Sequence, residues 1–307
     1  LGFLIHTTFS LLHGATAVMI EEFAHPEVLL DAIGRRRIDT FTAIAASWAG
    51  MMEAAGHGHR SDLTSLRRGY AMWQSSSAGD VRDWWRERGL ELLNNFGSTA
   101  FASWVLVPKP GGGSPPGSLG RPAPGYRVVA LDAEAEGIDE VPAGAPGRLA
   151  VKGPTGLTYW NRPELQARDV SQGWTLVDDL VRFDAGGDAA YLGRTDFLIS
   201  TAGYKVAPVE VEDVIAQHPE VVEVAVVGAP DPERQEIVLA FVALRDPARA
   251  GDALRRELID LVRERLSPYK HPRRIDFVDA LPRDPVGKVR TRELKEMAAR
   301  AVASGGA

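Results

Sequence analysis

The amino-acid sequence predicts an α/β protein in two parts. Three observations predict it. Over residues 14–93, segments of strand character alternate with amphipathic helical ones, the pattern of an α/β layer with parallel pairing. Residues 126–191 hold a succession of strand-sized segments. After Gly193 the pattern turns into a compact mixture of helices and strands, which places a domain boundary near 194–197 and divides the chain into 1–194 and 195–307.

Taken in order, residues 14–20 (GATAVMI) are a short apolar run and predict a buried strand. Pro26 opens a helix over 26–36 that places Val28, Leu29 and Ile33 on one face, and residues 38–44 predict a strand. Gly79 and Asp80 open a second helix over 81–88, with Gly89 placed to end it, and residues 90–93 predict a further strand. Residues 108–124 are dense in Pro and Gly and read as a loop. Its run Gly111-Gly112-Gly113 is not a phosphate-binding loop, because no Gly-Lys-Ser/Thr follows before a helix. Strands are predicted at 126–131 and 148–151. In the last third, helices are predicted over 208–218, 253–266 and 292–303, and strands over 221–227, 237–244 and 274–278. Leu254, Leu258, Leu261, Val262 and Leu266 form the apolar stripe of the second of these helices.

Composition narrows the function. With 307 residues, 45% apolar and 25% charged, the chain is neither disordered, collagenous nor a coiled coil. Lys and Arg number 35 against 41 Asp and Glu, a net charge of -6, so nothing electrostatic draws it to nucleic acid or to an anionic membrane. The absence of cysteine excludes disulfides, thiolate metal sites and cysteine nucleophiles, and fits a reducing cytoplasm. No apolar run approaches the ~20 residues of a membrane span. The chain opens on Leu1-Gly2-Phe3 without the features of a signal peptide, as if inside a folded element. The expectation is a cytoplasmic protein.

Several segments carry chemistry, each with a plainer alternative. Gly287-Lys288 in a Pro-punctuated loop lets the backbone approach a ligand and delivers an ammonium to a carboxylate or phosphate; the alternative is a solvated loop lysine. Gly193-Arg194-Thr195-Asp196 offers an Arg for ribose or phosphate oxygens beside a polar hinge, or else an interdomain ion pair. Asp178 and Asp179 offer a carboxylate for both hydroxyls of a ribose, or a turn of solvated acids. Asn95-Phe96-Gly97-Ser98-Thr99 supplies a turn, two hydroxyls and an aromatic face suited to a nucleotide, or an ordinary strand-to-loop turn. His57-Gly58-His59 has no further ligand cluster nearby and reads as a surface loop rather than a metal site.

In order and spacing these pieces resemble the adenylate-forming superfamily: acyl- and aryl-CoA ligases, luciferases and peptide-synthetase adenylation domains. The resemblance runs along nearly the whole chain. Ser77-Ala78-Gly79-Asp80 is similar to the family's SAGE segment, Phe96-Gly97-Ser98-Thr99-Ala100 to its aromatic-Gly-x-Thr-Glu motif, and Gly173-Trp174 through Asp179 to its GW…TGD motif. Gly193-Arg194-Thr195-Asp196 is similar to the GRxD hinge, and residues 200–212 to the segment that opens the mobile domain. Pro268-Tyr269-Lys270-His271-Pro272 and Gly287-Lys288 complete the set. Gly153-Pro154-Thr155-Gly156, Tyr159-Trp160 and Ala202-Gly203-Tyr204 look most like benzoate- and 2-aminobenzoate-CoA ligases, and medium-chain acyl-CoA ligases share much of this.

The resemblance implies the later part of a large N-terminal domain, with sheet layers and a small β-rich subdomain, followed by a small mobile α+β domain. It implies an AMP-forming acid–thiol ligase that uses ATP, CoA and Mg²⁺ and passes through an acyl-adenylate. Lys288 would be catalytic, bridging carboxylate and phosphate oxygens. Thr99 would bind the α-phosphate, Asp179 and Arg194 the ribose, and Phe96 with the backbone around Gly79 would border adenine. The acyl pocket would draw on residues near Trp73 and Gly97. Asp196 would be the hinge, Gly203 would come to a pantetheine tunnel, and Lys205 on the same segment would be a cofactor-binding residue.

The sequence also departs from the family. The phosphate loop with its Lys precedes the point where Leu1 aligns, so the chain is expected to be a fragment that lacks adenylation activity by itself. Ala100 stands at the acidic position that helps hold Mg²⁺, which weakens that site. Val177 and Asp178 replace the Thr-Gly before the ribose Asp, and Asp178 adds negative charge near phosphates. Arg148 stands where Glu is usual, expected as a surface difference, and Asp284 and Val286 replace hydroxyl residues in the lysine loop. Two alternatives therefore stand beside the ligase: a non-catalytic nucleotide- or CoA-binding relative, and an adenylation domain that loads a carrier protein.

Overall fold

Proline has no backbone N–H to donate and is tolerated in the first turn of a helix. Pro26 accordingly opens α1 (Pro26–Arg36) in the computed structural model, which describes residues 5–20, 25–72, 79–109, 113–115, 117–132, 137–284 and 287–304. Arg37, in the left-handed region at φ 50°, ends the helix. Its buried face is Leu29, Leu30 and Ile33, while Val28 is 38% exposed. The expectation that Val28 belongs to the buried face is therefore wrong; Leu30 takes its place and packs in one core with Trp48 and Met51 of the next helix. A second expectation fails outright. Residues 14–20 form no strand and are exposed; among the described residues no strand pairs with them, and an apolar run without a ladder partner has nothing to make it a strand.

The chain forms two units, Leu1–Tyr191 and Leu192–Ala307. The first unit continues with β1 (Thr40–Ile44), α2 (Ala45–Gly56), β2 (Arg68–Met72), α3 (Gly79–Glu87) and β3 (Leu92–Asn94), and β1-β2-β3 is a parallel sheet. The sequence did not announce α2 or β2. AASWAGMMEAAG is small or apolar nearly all round and hides the helical period, and RGYAM is short and interrupted by glycine. Trp48, Met51 and Trp85 are fully buried here; the two indoles meet edge to face at 5.1 Å, and each N–H finds a carbonyl, Tyr70 O at 3.1 Å and Trp48 O at 3.3 Å. Trp73, Ser77 and Ala78 lie outside the described residues.

The rest of this unit is β-rich. β4 (Phe96–Ser98), β5 (Ser103–Val107) and β6 (Arg121–Pro122) form a small antiparallel sheet. β7 (Arg127–Leu131) and β8 (Pro146–Lys152) are followed by α4 (Pro163–Asp169), β9 (Val170–Ser171), β10 (Trp174–Phe183) and β11 (Ala189–Arg194), in a sheet of order β11-β10-β8-β7 with β9 on β10. Both sheets bury one core that includes Phe96, Phe101, Leu106, Leu149 and Val181.

In the second unit, the short strands β12 (Ile199–Thr201) and β13 (Tyr204–Val206), which the sequence did not announce, are followed in the predicted order by α5 (Pro208–Ile215), β14 (Val221–Asp231), β15 (Gln235–Leu244), α6 (Asp252–Arg265), β16 (Arg274–Val278) and α7 (Thr291–Ser304). The sheet runs β13-β12-β15-β14, with β16 parallel to β15. β14 and β15 are apolar on both faces, as a sheet covered on both sides requires. Val226, Val238, Ala240 and Val242 pack with Leu254, Leu258 and Val262 of α6; Val227, Leu239 and Phe241 pack with Leu294 and Ala298 of α7. Among the described residues no helix is long and apolar enough to cross a membrane.

Candidate functional site

In the first unit the segment after β3 turns tightly. Phe101 N–H donates to Ser98 O at 3.0 Å and Ala102 N–H to Thr99 O at 3.2 Å, with Thr99 exposed in the turn. Gly97 is required by packing: a Cβ there would stand 2.3 Å from Ser103 O. Phe96 is buried, and its ring lies 6.1 Å from that of Tyr191. The Tyr191 hydroxyl donates to Asp179 Oδ1 at 3.1 Å, and Asp179 is 9% exposed. Ala100, Val177 and Tyr191 pack against the same core as Phe96. The structure therefore brings Phe96 and Asp179 together at Tyr191, a residue the sequence did not single out, with Ala100 and Val177 on the same core. Gly79 opens α3, whose helix packs against α2 and β3.

Asp179 sits on an irregular stretch of β10. Leu176 faces Ala150 of β8 and Leu180 faces Arg148, so Val177, Asp178 and Asp179 stand against one residue, a β-bulge. Arg148 reaches into it. Its Nε donates to Val177 O at 3.0 Å, and its Nη2 to Asp178 Oδ1 and to Asp169 Oδ1, each at 3.1 Å. The expectation of a surface difference at Arg148 is thus wrong: its side chain is only 18% exposed, and its charge answers that of Asp178. The neighbouring Asp169, 2% exposed, also accepts Arg168 Nε and Nη2 at 2.7 Å and the Tyr159 hydroxyl at 2.8 Å. Burial works to raise the Asp169 pKa, but the hydrogen bonds from Arg168 and Tyr159 and the nearby guanidinium charges hold it below the ordinary value. Burial and the Asp169 carboxylate raise that of Tyr159.

The second unit carries the other sequence candidates as separate features. Arg194 Nε and Nη2 donate to the two carboxylate oxygens of Asp196 at 2.9 and 3.3 Å. β12 and β13 are joined by the two-residue turn Ala202-Gly203, both at positive φ (48° and 83°), and Lys205 Nζ donates to Ser200 Oγ at 2.8 Å. Tyr204 beside that turn stacks on Tyr269 with centroids 4.3 Å apart, and Lys270 Nζ donates to Glu210 Oε2 at 2.8 Å, so the 268–272 motif meets the 200–212 segment. Lys288 is exposed. Asp284 Oδ1 accepts its backbone N–H at 2.9 Å, and its own carbonyl accepts Asp284 N–H at 2.9 Å; Val286 lies outside the described residues.

Residues 1–160 match the AMP-binding enzyme family, and residues 210–288 match the AMP-binding enzyme C-terminal domain. The chain belongs to the AMP-binding enzyme family. Among its relatives, a benzoate–CoA ligase of Thauera aromatica is 32% identical over 94% of this chain and 54% of its own length. An acetyl-coenzyme A synthetase of Bacillus subtilis is 31% identical over 92% of this chain and 50% of its own. The structure of the anthranilate CoA ligase AuaEII in complex with anthranoyl-AMP superposes with a TM-score of 0.81 at 30% identity, over 94% of this chain and 56% of that one. A benzoate CoA ligase from Burkholderia xenovorans LB400 gives 0.80 at 30% identity, over 94% and 57%. The chain thus spans about half the length of these AMP-binding enzymes.

Set against that family, the first unit fits a nucleotide better than a metal. A buried carboxylate beside two aromatic rings suits a ribose and a base. Ala100, at the acidic position of the family motif, packs on the core and offers no oxygen to a hard cation. Among the described residues no group of three or more His, Asp or Glu stands ready for a metal ion. His59 Nε2 instead lies 2.9 Å from Asp31 Oδ1, which also accepts the Ser61 hydroxyl at 2.8 Å.

Proposed function

We propose that the chain is the AMP- and CoA-handling part of a carboxylic acid–CoA ligase that works through an acyl-adenylate, with an aryl acid as its substrate class. The observation that carries this is the Tyr191-oriented, buried Asp179 beside Phe96, in a chain whose relatives include benzoate– and anthranilate–CoA ligases. Asp179 accepts the ribose hydroxyls, and Phe96 and Tyr191 border the adenine. Thr99, exposed on its turn, donates to the α-phosphate. Lys288, on a glycine-bearing loop, offsets the charge that develops as a carboxylate oxygen attacks the α-phosphorus and the bond to pyrophosphate breaks. In the second step a thiol attacks the acyl carbonyl and AMP leaves. Gly203, whose missing side chain has nothing within 4 Å, leaves room for the thiol's slender arm. Arg194 is a second ribose ligand, released from Asp196 when Asp196 acts as a hinge. No step is assigned to Mg²⁺: Ala100 offers it no oxygen, and among the described residues no group of three or more His, Asp or Glu could hold it.

One observation favours the non-catalytic alternative: Ala100 in place of the acid. The test separates the two. ATP–pyrophosphate exchange is measured with benzoate, 2-aminobenzoate and medium-chain acids, on the protein expressed from the longest reading frame that contains this chain. Exchange with an aryl acid that disappears in Lys288→Ala supports the ligase. No exchange by a folded protein, with recovery absent in Ala100→Glu, overturns it.

A further inference from the structure

The carboxylate assigned to the ribose stands where its strand bulges out of regular pairing with β8. In a regular antiparallel ladder, Asp179 would be held by backbone pairing on both sides. Here Val177, Asp178 and Asp179 oppose one residue of β8, and the ladder resumes only at Leu180, whose partner is Arg148 itself. A bulge of this kind twists and bends its strand unless something fixes it. What fixes this one is a side chain. Arg148 donates through Nε to the Val177 carbonyl and through Nη2 to Asp178, and the same Nη2 reaches Asp169 at the end of α4. Asp169 is anchored in turn by the paired donors of Arg168 and by the Tyr159 hydroxyl.

We propose that Arg148 is a positioning residue for nucleotide recognition, clamping the bulge at Val177 and Asp178 so that Asp179 presents its carboxylate to the ribose hydroxyls. The planar guanidinium suits this task because one group serves a backbone carbonyl and two carboxylates from fixed directions, which an ammonium cannot reproduce. Asp178 is then the near jaw of the clamp rather than a charge aimed at phosphate, and Asp169 is the far jaw, which ties the bulge to α4. The positioning acts at short range. Asp179 directly follows the clamped pair, so a rotation about Val177 or Asp178 redirects its carboxylate, and a displacement of about 1 Å is enough to lose an oriented contact.

The inference rests on the reading of Asp179 as the ribose ligand, and the experiment keeps the two apart. Binding of AMP and of 2′,3′-dideoxy-AMP is measured by calorimetry on the wild-type protein and on Arg148→Ala, Arg148→Lys and Arg148→Gln, with a thermal melt of each. The wild type is expected to prefer AMP by about tenfold or more, the equivalent of one good hydrogen-bonded contact. In Arg148→Ala and Arg148→Lys the preference is expected to fall to within about threefold, with dideoxy-AMP affinity nearly unchanged. A wild type without preference overturns the ribose reading itself. A preference kept intact in the variants overturns the clamp alone, and so does an equal weakening of both nucleotides, the mark of a merely structural residue. Should Arg148→Ala fail to fold, Arg148→Gln, which keeps a donor for the Val177 carbonyl but loses the guanidinium charge shared by Asp169 and Asp178 and leaves only Arg168 between them, is held to the same outcomes.

Discussion

The Tyr191 hydroxyl donates to Asp179 Oδ1 at 3.1 Å, from a ring whose centroid is 6.1 Å from that of Phe96. One side chain thus couples the aromatic wall of the β4 turn to the carboxylate of the β10 bulge. Removing the hydroxyl leaves the ring and its packing in place but lets the carboxylate turn. A hydrogen bond to a charged group contributes about 1.5–3 kcal/mol, only part of which is orientation. Tyr191→Phe is therefore expected to weaken AMP binding by about three- to tenfold, with a small change in thermal stability. Calorimetric titration of the two proteins checks it, and unchanged affinity would show that Tyr191 does not orient the ribose ligand.

The sequence made the second unit legible almost element by element. The apolar stripe of α6 and the apolar runs of β14 and β15 carry their structure in their spacing. The order of the motifs made Phe96, Asp179 and Lys288 legible as candidates. Other features have no such signal. Arg148, Asp169 and Asp178 lie 21 and 30 positions apart, and an ion cluster leaves no periodicity. Tyr191 reads as one more β-strand aromatic until its hydroxyl is seen on Asp179. Residues 14–20 mislead in the opposite sense, because an apolar run predicts a strand only when a partner strand exists.

Gly97 separates packing from chemistry. A methyl group there would meet the Ser103 carbonyl at 2.3 Å and the Trp104 ring at 3.0 Å, and backbone cannot move aside cheaply. Gly97→Ala is expected to destabilise the first unit by about 2 kcal/mol or more, an overpacking cost, read as a lowered midpoint in urea. A midpoint within error of the wild type would show that β4 and β5 part easily.

Gly203 makes the opposite case. No atom lies within 4 Å of its would-be Cβ, so the cost of a side chain is the left-handed φ of 83°, about 1–2 kcal/mol. In the protein expressed from the longest reading frame that contains this chain, Gly203→Leu is expected to retain ATP–pyrophosphate exchange and to lose most CoA thioester formation, since only the second step needs the open space. Equal loss of both activities would remove Gly203 from the thiol path.

Lys288 is exposed, and its ammonium makes no hydrogen bond or ion pair among the described residues. The fold does not depend on it. Lys288→Ala is expected to change stability by less than about 0.5 kcal/mol. In the protein expressed from the longest reading frame, the loss of a charge-stabilising donor from the adenylation step is expected to slow exchange by about 100-fold or more. The two measurements on one variant distinguish a catalytic lysine from a solvated one, which would leave exchange as it was.

Glu212, on α5, accepts the Val226 N–H at 2.8 Å, and burial pushes its pKa from 4.5 up to about 7. The sign of the consequence follows from the proton count. Between pH 4.5 and about 7 the folded protein holds this proton and the unfolded chain has released it, so the folded state binds more protons and its stability falls as pH rises. The contribution is fully favourable below the unfolded pKa and is lost by the time pH exceeds the folded one, a swing of at most about 3 kcal/mol. Glu212→Gln keeps a carbonyl oxygen for Val226 and carries no charge. The variant is expected to match the wild type in urea midpoint near pH 5 and to exceed it near pH 8. Because every other titrating group is common to both proteins, the difference between the two curves isolates Glu212. Parallel curves across that range would mean that the carboxylate is solvated in the folded protein.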